Sequence, residues 1–213
     1  MGFGLHMGWA IEGAIGSEYK IDVSYLSPNV NLASRLEAAT KQYGVPLLIS
    51  HELYDHFSTE IQAICRKIDV VTVKGSKNPL GLFTVDVLID DLPPEKVKNT
   101  TKNELEEKNR KKKHAIAEFY EQKIFKTKDI FLIDKNIKFL LRNFDTDVAA
   151  YEIFNAGYNC YLKGDWLNAK LKFGNFLEIK KEDGPARTLL EFMKRSNWEC
   201  GKDWMGYREL TEK

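Results

Sequence analysis

The chain has 213 residues, 43% of them hydrophobic and 30% charged, which suffices for one large or two small globular units and excludes a disordered tail. Its net charge of +1 gives no global attraction to nucleic acid or to an anionic membrane. Three cysteines, Cys65, Cys160 and Cys200, lie far apart without a CxxC pair, which suits reduced thiols in a cytosolic compartment better than a disulfide framework or a zinc site. No apolar run approaches the roughly 18 residues that span a bilayer, and the N-terminus lacks a charged region followed by a signal-type apolar segment. A soluble, cytoplasmic chain is expected.

In chain order, residues 2–17 alternate small and apolar side chains, with Gly4, Gly8, Gly13 and Gly16 at bends and close backbone approaches. Trp9, Ile11 and Ile15 are expected to face the core. The glycine spacing fits neither GxGxxG nor GxxxxGK[ST], so no phosphate-cradling loop is read there. His6 has no second ligand at metal spacing and reads as a packed or hydrogen-bonded histidine. Residues 20–44, KIDVSYLSPNVNLASRLEAATKQYG, form a strand, a turn and a helix: Ser27 is the N-cap, Pro28 is pre-set for the first helical position, and Gly44 ends the helix. Leu32, Leu36, Ala39 and Tyr43 make its buried stripe, with Ala33 beside it. Asn31 and Arg35, four apart, present an amide and a guanidinium from one helix edge, an arrangement suited to an anion. Residues 45–50 read as a buried strand, 51–57 as a brief helix, and 65–73 as a strand; Lys74-Gly75-Ser76 then turns into a strand over 82–88. This order gives an α+β sheet.

Composition changes over residues 90–113, where Lys, Glu and Asn dominate and Arg110-Lys111-Lys112-Lys113 is a basic cluster. A linker running into a solvated helix is expected. Two helices are predicted within 115–144, with a break near 127–129. Residues 151–192 resemble a tetratricopeptide-type helical hairpin: Gly157, Ala169 and Phe173 keep that repeat's spacing, and Gly164-Asp165-Trp166 makes the turn. Tyr158, Tyr161, Leu171, Phe176 and Leu177 should fill its interface. Asp183-Gly184-Pro185 breaks the second helix, residues 188–194 add a further turn or two, and Trp198, Trp204 and Tyr207 form an aromatic tail that packs on the hairpin or docks on another protein.

Four stretches together carry a wider resemblance: GLHMGWAIEGAIGS, NVNLASRLEAATKQYG, LLISHELYDHF and VVTVKGSKNPLGLFTVDV. In order and spacing, the run from Gly4 to Val85 resembles the C-terminal half of a class III nucleotidyl cyclase catalytic domain, the adenylyl and guanylyl cyclase family, in versions found in protists. The resemblance implies a partial, ferredoxin-like cyclase domain over 1–90, a charged linker or solvated helix over 91–114, and an all-α region over 115–213 holding one tetratricopeptide-like hairpin at about 151–180. In that family the first strands of the sheet lie upstream of the position of Met1, so an unpaired edge and an uncovered face are expected here.

The chemistry implied is conversion of ATP or GTP to a 3′,5′-cyclic nucleotide and pyrophosphate at a dimer interface. By motif position Arg35 would stabilise charge on the α-phosphate, Asn31 would orient the ribose and nucleophile, and Lys74 would neutralise the distal phosphates. The base-recognition position falls on Ser24, with Asp22 as the alternative if the loop is re-registered; Ser24 both donates and accepts, so it selects neither base. Two divalent ions, Mg2+ or Mn2+, are implied, with their aspartate ligands on a homo- or heterodimeric cyclase-domain partner and none in this chain; Asp22 and Asp69 are not nominated. The alternative is a catalytically inactive cyclase-like dimerisation or scaffold module, docked by its helical tail in a larger assembly, for example a ciliary or axonemal one.

Overall fold

The computed structural model describes residues 1–73, 78–86, 101–121 and 148–210. Met1–Asp86 and Asp147–Lys213 make one compact unit, and Val87–Thr146 a second. The described part of the second is the helix α4, Lys102–Glu121, which carries a Glu107–Lys111 ion pair one turn apart. The predicted break near 127–129, and the linker ahead of residue 101, lie outside the described residues.

The first unit opens with β1 (Phe3–Leu5), β2 (Ile11–Ser17) and β3 (Lys20–Leu26), followed by α1 (Pro28–Tyr43). The caps of α1 are those legible in the sequence. Ser27 Oγ accepts from the Asn29 N–H at 3.0 Å, Pro28 occupies the first turn, and Gly44, at φ 63°, returns its N–H to the Thr40 carbonyl. Leu36, Ala39 and Tyr43 are buried and Leu32 packs against them, so the predicted stripe is core. Next come β4 (Leu47–Ser50), α2 (His51–Tyr54), α3 (Thr59–Ile64), β5 (Cys65–Thr72) and β6 (Leu80–Val85). After the second unit follow α5 (Val148–Leu162), α6 (Trp166–Ile179), α7 (Gly184–Arg195) and the short β7 (Arg208–Glu209).

A mixed sheet runs in the order β1-β4-β6-β5-β7, with β1 parallel to β4, β6 antiparallel to both its neighbours, and β7 parallel to β5. The edge at β5 is therefore occupied by the chain's own C-terminal tail, Val71 pairing with Arg208. At the other edge β1 pairs only with β4 among the described residues. One core joins sheet residues Leu48, Ile68, Val71 and Leu82 to the α1 stripe and to Phe154, Phe173, Phe176, Leu189 and Met193 of the C-terminal helices.

Two expectations about burial are corrected. β2 and β3 form a separate two-stranded ribbon, so Trp9, Ile11 and Ile15 are 65%, 63% and 41% exposed rather than core-facing. A lone ribbon has no sheet face to cover it. In the α5–α6 hairpin, Gly157 lets the helices close: a Cβ there would stand 3.0 Å from Lys172 Cβ. Ala169, Phe173 and Phe176 are fully buried, yet Leu171 is exposed because it lies off the Ala169–Phe173–Phe176 stripe. The segment after Asp183 is also longer than a turn or two: α7 has 12 residues, started by Asp183 Oδ1 capping the Ala186 N–H. The aromatic tail packs on its own hairpin, Trp204 meeting Tyr161 and Trp166 edge-on at 5.2 Å each.

Two buried ionic clusters join sheet and helices, both from β5. Asp69, fully buried, accepts from Arg208 Nε (2.8 Å), Tyr43 Oη (2.6 Å), Tyr161 Oη (3.3 Å) and the Val70 N–H (2.8 Å). Burial, with the Asp69 charge added, pushes the Tyr43 and Tyr161 phenols well above the ordinary tyrosine range, so both stay donors. Arg66 is held bidentately by Asp86 at 2.7 Å and also donates to Asp183 at 2.6 Å, its guanidinium 4.4 Å from the Phe154 ring centroid. Burial disfavours its charge, and the two carboxylates more than offset that.

Removing one partner of such a pair strands the other. Arg208→Ala is expected to cost about 3–5 kcal/mol, read as a fall in the urea midpoint at unchanged m-value. Arg187→Ala, whose Glu182 partner is exposed, should stay within about 0.5 kcal/mol. Burial also pushes the Cys65 thiol up to about 11. Because the thiolate is the nucleophile, folded protein at pH 8 should resist iodoacetamide at Cys65 and react faster as pH approaches that value, while urea-unfolded protein reacts readily; peptide mass spectrometry reads both.

Candidate functional site

Of the residues singled out by motif, Asn31 and Arg35 come from the first half of α1, which Ser27 and Pro28 start and whose buried stripe anchors it on the sheet. Asn31 is exposed and Arg35 half-buried, one turn apart on the same helix edge. The α1 N-terminus is tied to the chain ahead of the ribbon: Ser27 Oγ and Asn29 Nδ2 both donate to the Trp9 carbonyl, at 2.5 and 2.8 Å. This fixes where α1 begins relative to β1 and β2.

Ser24 and Asp22 lie two apart on β3, hence on one face of the ribbon, opposite Gly13 and Ile15. Ser24 is half-buried; Asp22 is exposed and pairs with Lys20 at 3.0 Å. Lys74 lies outside the described residues; β5 and the following Val73 lead up to it.

Arg35 lines a cavity of about 700 Å³ whose other walls come from α1, from Val73, from Glu191 and Arg195 of α7, and from Leu210 beyond β7. That volume falls in the range of small-molecule sites, about 300–1,000 Å³. Three cations, Arg35, Lys41 and Arg195, face it with one carboxylate, Glu191. The chemistry it suits is binding of a polyvalent anion. Sequence reading missed Arg195, because nothing local marks a residue at the end of a C-terminal helix as a neighbour of α1.

Among the described residues, no three His, Cys, Asp or Glu side chains come together as an ion site. Asp69 already accepts four hydrogen bonds in the core. His6, whose side chain is 3% exposed, is bonded to Ser50 Oγ at 2.8 Å and Asn29 Oδ1 at 3.1 Å, as a hydrogen-bonded histidine should be. No described helix is long and apolar enough to cross a membrane.

No protein-family model matches the chain. An adenylate cyclase of Anabaena cylindrica is 35% identical over 86 residues, 40% of this chain and 17% of that protein. The terminal-differentiation specific adenylate cyclase of Dictyostelium discoideum is 34% identical over 85 residues, 39% of this chain and 4% of its own. A solved bacterial light-regulated adenylyl cyclase is 29% identical and covers 40% of this chain and 23% of its own, with a TM-score of 0.34. The chain thus spans less than a fifth of the length of these curated relatives, and about two-fifths of it is similar in sequence to adenylate cyclases.

Proposed function

We propose that this chain contributes the transition-state half of a class III nucleotidyl cyclase site, formed across a dimer interface with a partner cyclase domain. The observation that carries the reading is Arg35, presented by α1 into a cation-lined cavity one turn after Asn31, in a chain similar to adenylate cyclases over about 40% of its length.

The reaction is an intramolecular phosphoryl transfer on ATP or GTP. A bond forms from the ribose 3′-oxygen to the α-phosphorus as the bond from that phosphorus to the bridging oxygen of pyrophosphate breaks, and the hydroxyl proton is lost. Negative charge grows on the α-phosphate oxygens and on the leaving pyrophosphate. Arg35 offers a planar fork of N–H donors that stays charged throughout, suited to the α-phosphate. Asn31, exposed one turn nearer the helix start, orients the ribose and its hydroxyl. Lys74, two residues beyond β5 in the sequence, serves the distal phosphates. Ser24, or Asp22 beside it, meets the base. The Mg2+ or Mn2+ ions that the family resemblance implies belong, in this reading, to carboxylates of the partner domain.

We read the α5–α6 hairpin as one tetratricopeptide-type repeat, capped by α7 and the aromatic tail. A second reading, a non-catalytic cyclase-like dimerisation or scaffold module, draws on the ionic clusters that bind this helical part to the sheet.

The test is cyclic nucleotide formation, with manganese and either ATP or GTP, by the native assembly or by this chain combined with a complete cyclase-domain partner. Arg35→Ala should lower the rate about a hundredfold or more, the scale for losing one donor to a developing oxyanion. Absence of product from an intact assembly, with Arg35→Ala leaving that assembly unchanged, would move the chain to the scaffold class.

A further inference from the structure

α7 starts against the C-terminal end of α1. Gly184, at its start, lies so close to the Tyr43 carbonyl that a Cβ would clash, and Thr188 Oγ1 donates to the Gln42 carbonyl at 3.0 Å. From that bond Arg35 lies seven residues back along α1, and Arg195 seven residues on along α7. Seven residues are two helical turns, about 10 Å. Each arginine thus stands two turns along its own helix from the Gln42–Thr188 contact, and both line the same cavity.

Arg195 is held there by Glu191, one turn earlier on α7, at 2.7 Å. Both partners are largely exposed, and pairs of that kind are weak enough for a multiply charged anion to displace. Two guanidiniums lining one cavity present two forks to phosphate oxygens, with Lys41 adding a point charge.

We propose that this cavity is an oligophosphate site, in which Arg195 of the C-terminal helical segment acts with Arg35 on the triphosphate of the nucleotide or on the pyrophosphate released from it. The proposal rests on the cyclase reading for the role of Arg35. It adds a phosphate-binding residue from a segment outside the cyclase-like run. The helical part then completes the phosphate side of the site as well as bracing the sheet.

Isothermal titration of the full chain with inorganic pyrophosphate, tripolyphosphate, ATP and GTP tests this without requiring turnover. Arg195→Ala and Arg35→Ala should each weaken pyrophosphate and tripolyphosphate binding about tenfold, the scale for one charge-assisted contact. Glu191→Gln, which removes the competing carboxylate, should tighten it. Lys202→Ala, on the exposed turn before Trp204, should leave it unchanged. Tighter binding of ATP or GTP than of tripolyphosphate assigns the site to substrate; equal or tighter binding of pyrophosphate assigns it to product. Equal affinity of Arg195→Ala and wild type, with Arg35→Ala weakened, overturns the inference and leaves the cyclase reading standing. Equal losses in Lys202→Ala, or no binding by wild type, overturn it too, whereas the cyclase reading falls only with the product assay. Because Arg195 is 63% exposed, its variant should keep the wild-type thermal midpoint, which the same sample reports.

Discussion

A single buried carboxylate holds the larger unit together. Asp69 gathers donors from α1, α5, β7 and its own strand, so four segments far apart in sequence share one charge. A carboxylate in that position is tolerable only when every lone pair is met by a well-placed donor. The tail strand, the tyrosine from the hairpin and the tyrosine at the end of α1 must therefore all be present together. Arg208 adds to this by donating its second nitrogen to Tyr43 at 2.9 Å and lying 5.1 Å from the Phe192 ring centroid.

What aims Asp69 inward is an irregularity in β5. The pairing with β6 shifts register between Lys67 and Asp69, a β-bulge that resets the two-residue alternation. Arg66 is buried before it, Ile68 within it, and Asp69 and Val71 after it, and their contacts lie on the side of α1 and the C-terminal helices. Without the bulge, the strand's period would send one pair or the other to the opposite face. Arg66 then reaches Asp183, which caps α7, and so the same strand sets where α7 starts. With that start set beside Tyr43, α7 carries Arg195 into the cavity that Arg35 lines.

The β2–β3 ribbon contrasts with this braced core. It exposes Ile21, Val23, Tyr25 and Leu26 at 71%, 73%, 57% and 56%, on strands that among the described residues pair only with each other. Their apolar character contributes nothing to the core of this unit. The ribbon is attached through Ser27 and Asn29 to the start of α1, so its placement and that of Asn31 are linked.

The sequence by itself determined the parts of this protein that depend on neighbours a few residues away. Ser27, Pro28 and Gly44 delimit α1, Leu36, Ala39 and Tyr43 mark its buried stripe, Gly157 and Ala169 foretell a close helix pair, and Asn31 with Arg35 stand on one edge, since capping, periodicity and steric fit are local. It misassigned Trp9, Ile11, Ile15 and Leu171, because alternation and helical spacing say that a residue can be buried but not whether anything covers it. Only the tertiary structure decided that Arg208 answers Asp69 across 139 residues and that Arg195 shares a cavity with Arg35. Such partnerships depend on a bulge, a strand added at a sheet edge and the direction in which one helix crosses another. They arise from packing between distant segments, for which no short-range pattern of residue types is a signature.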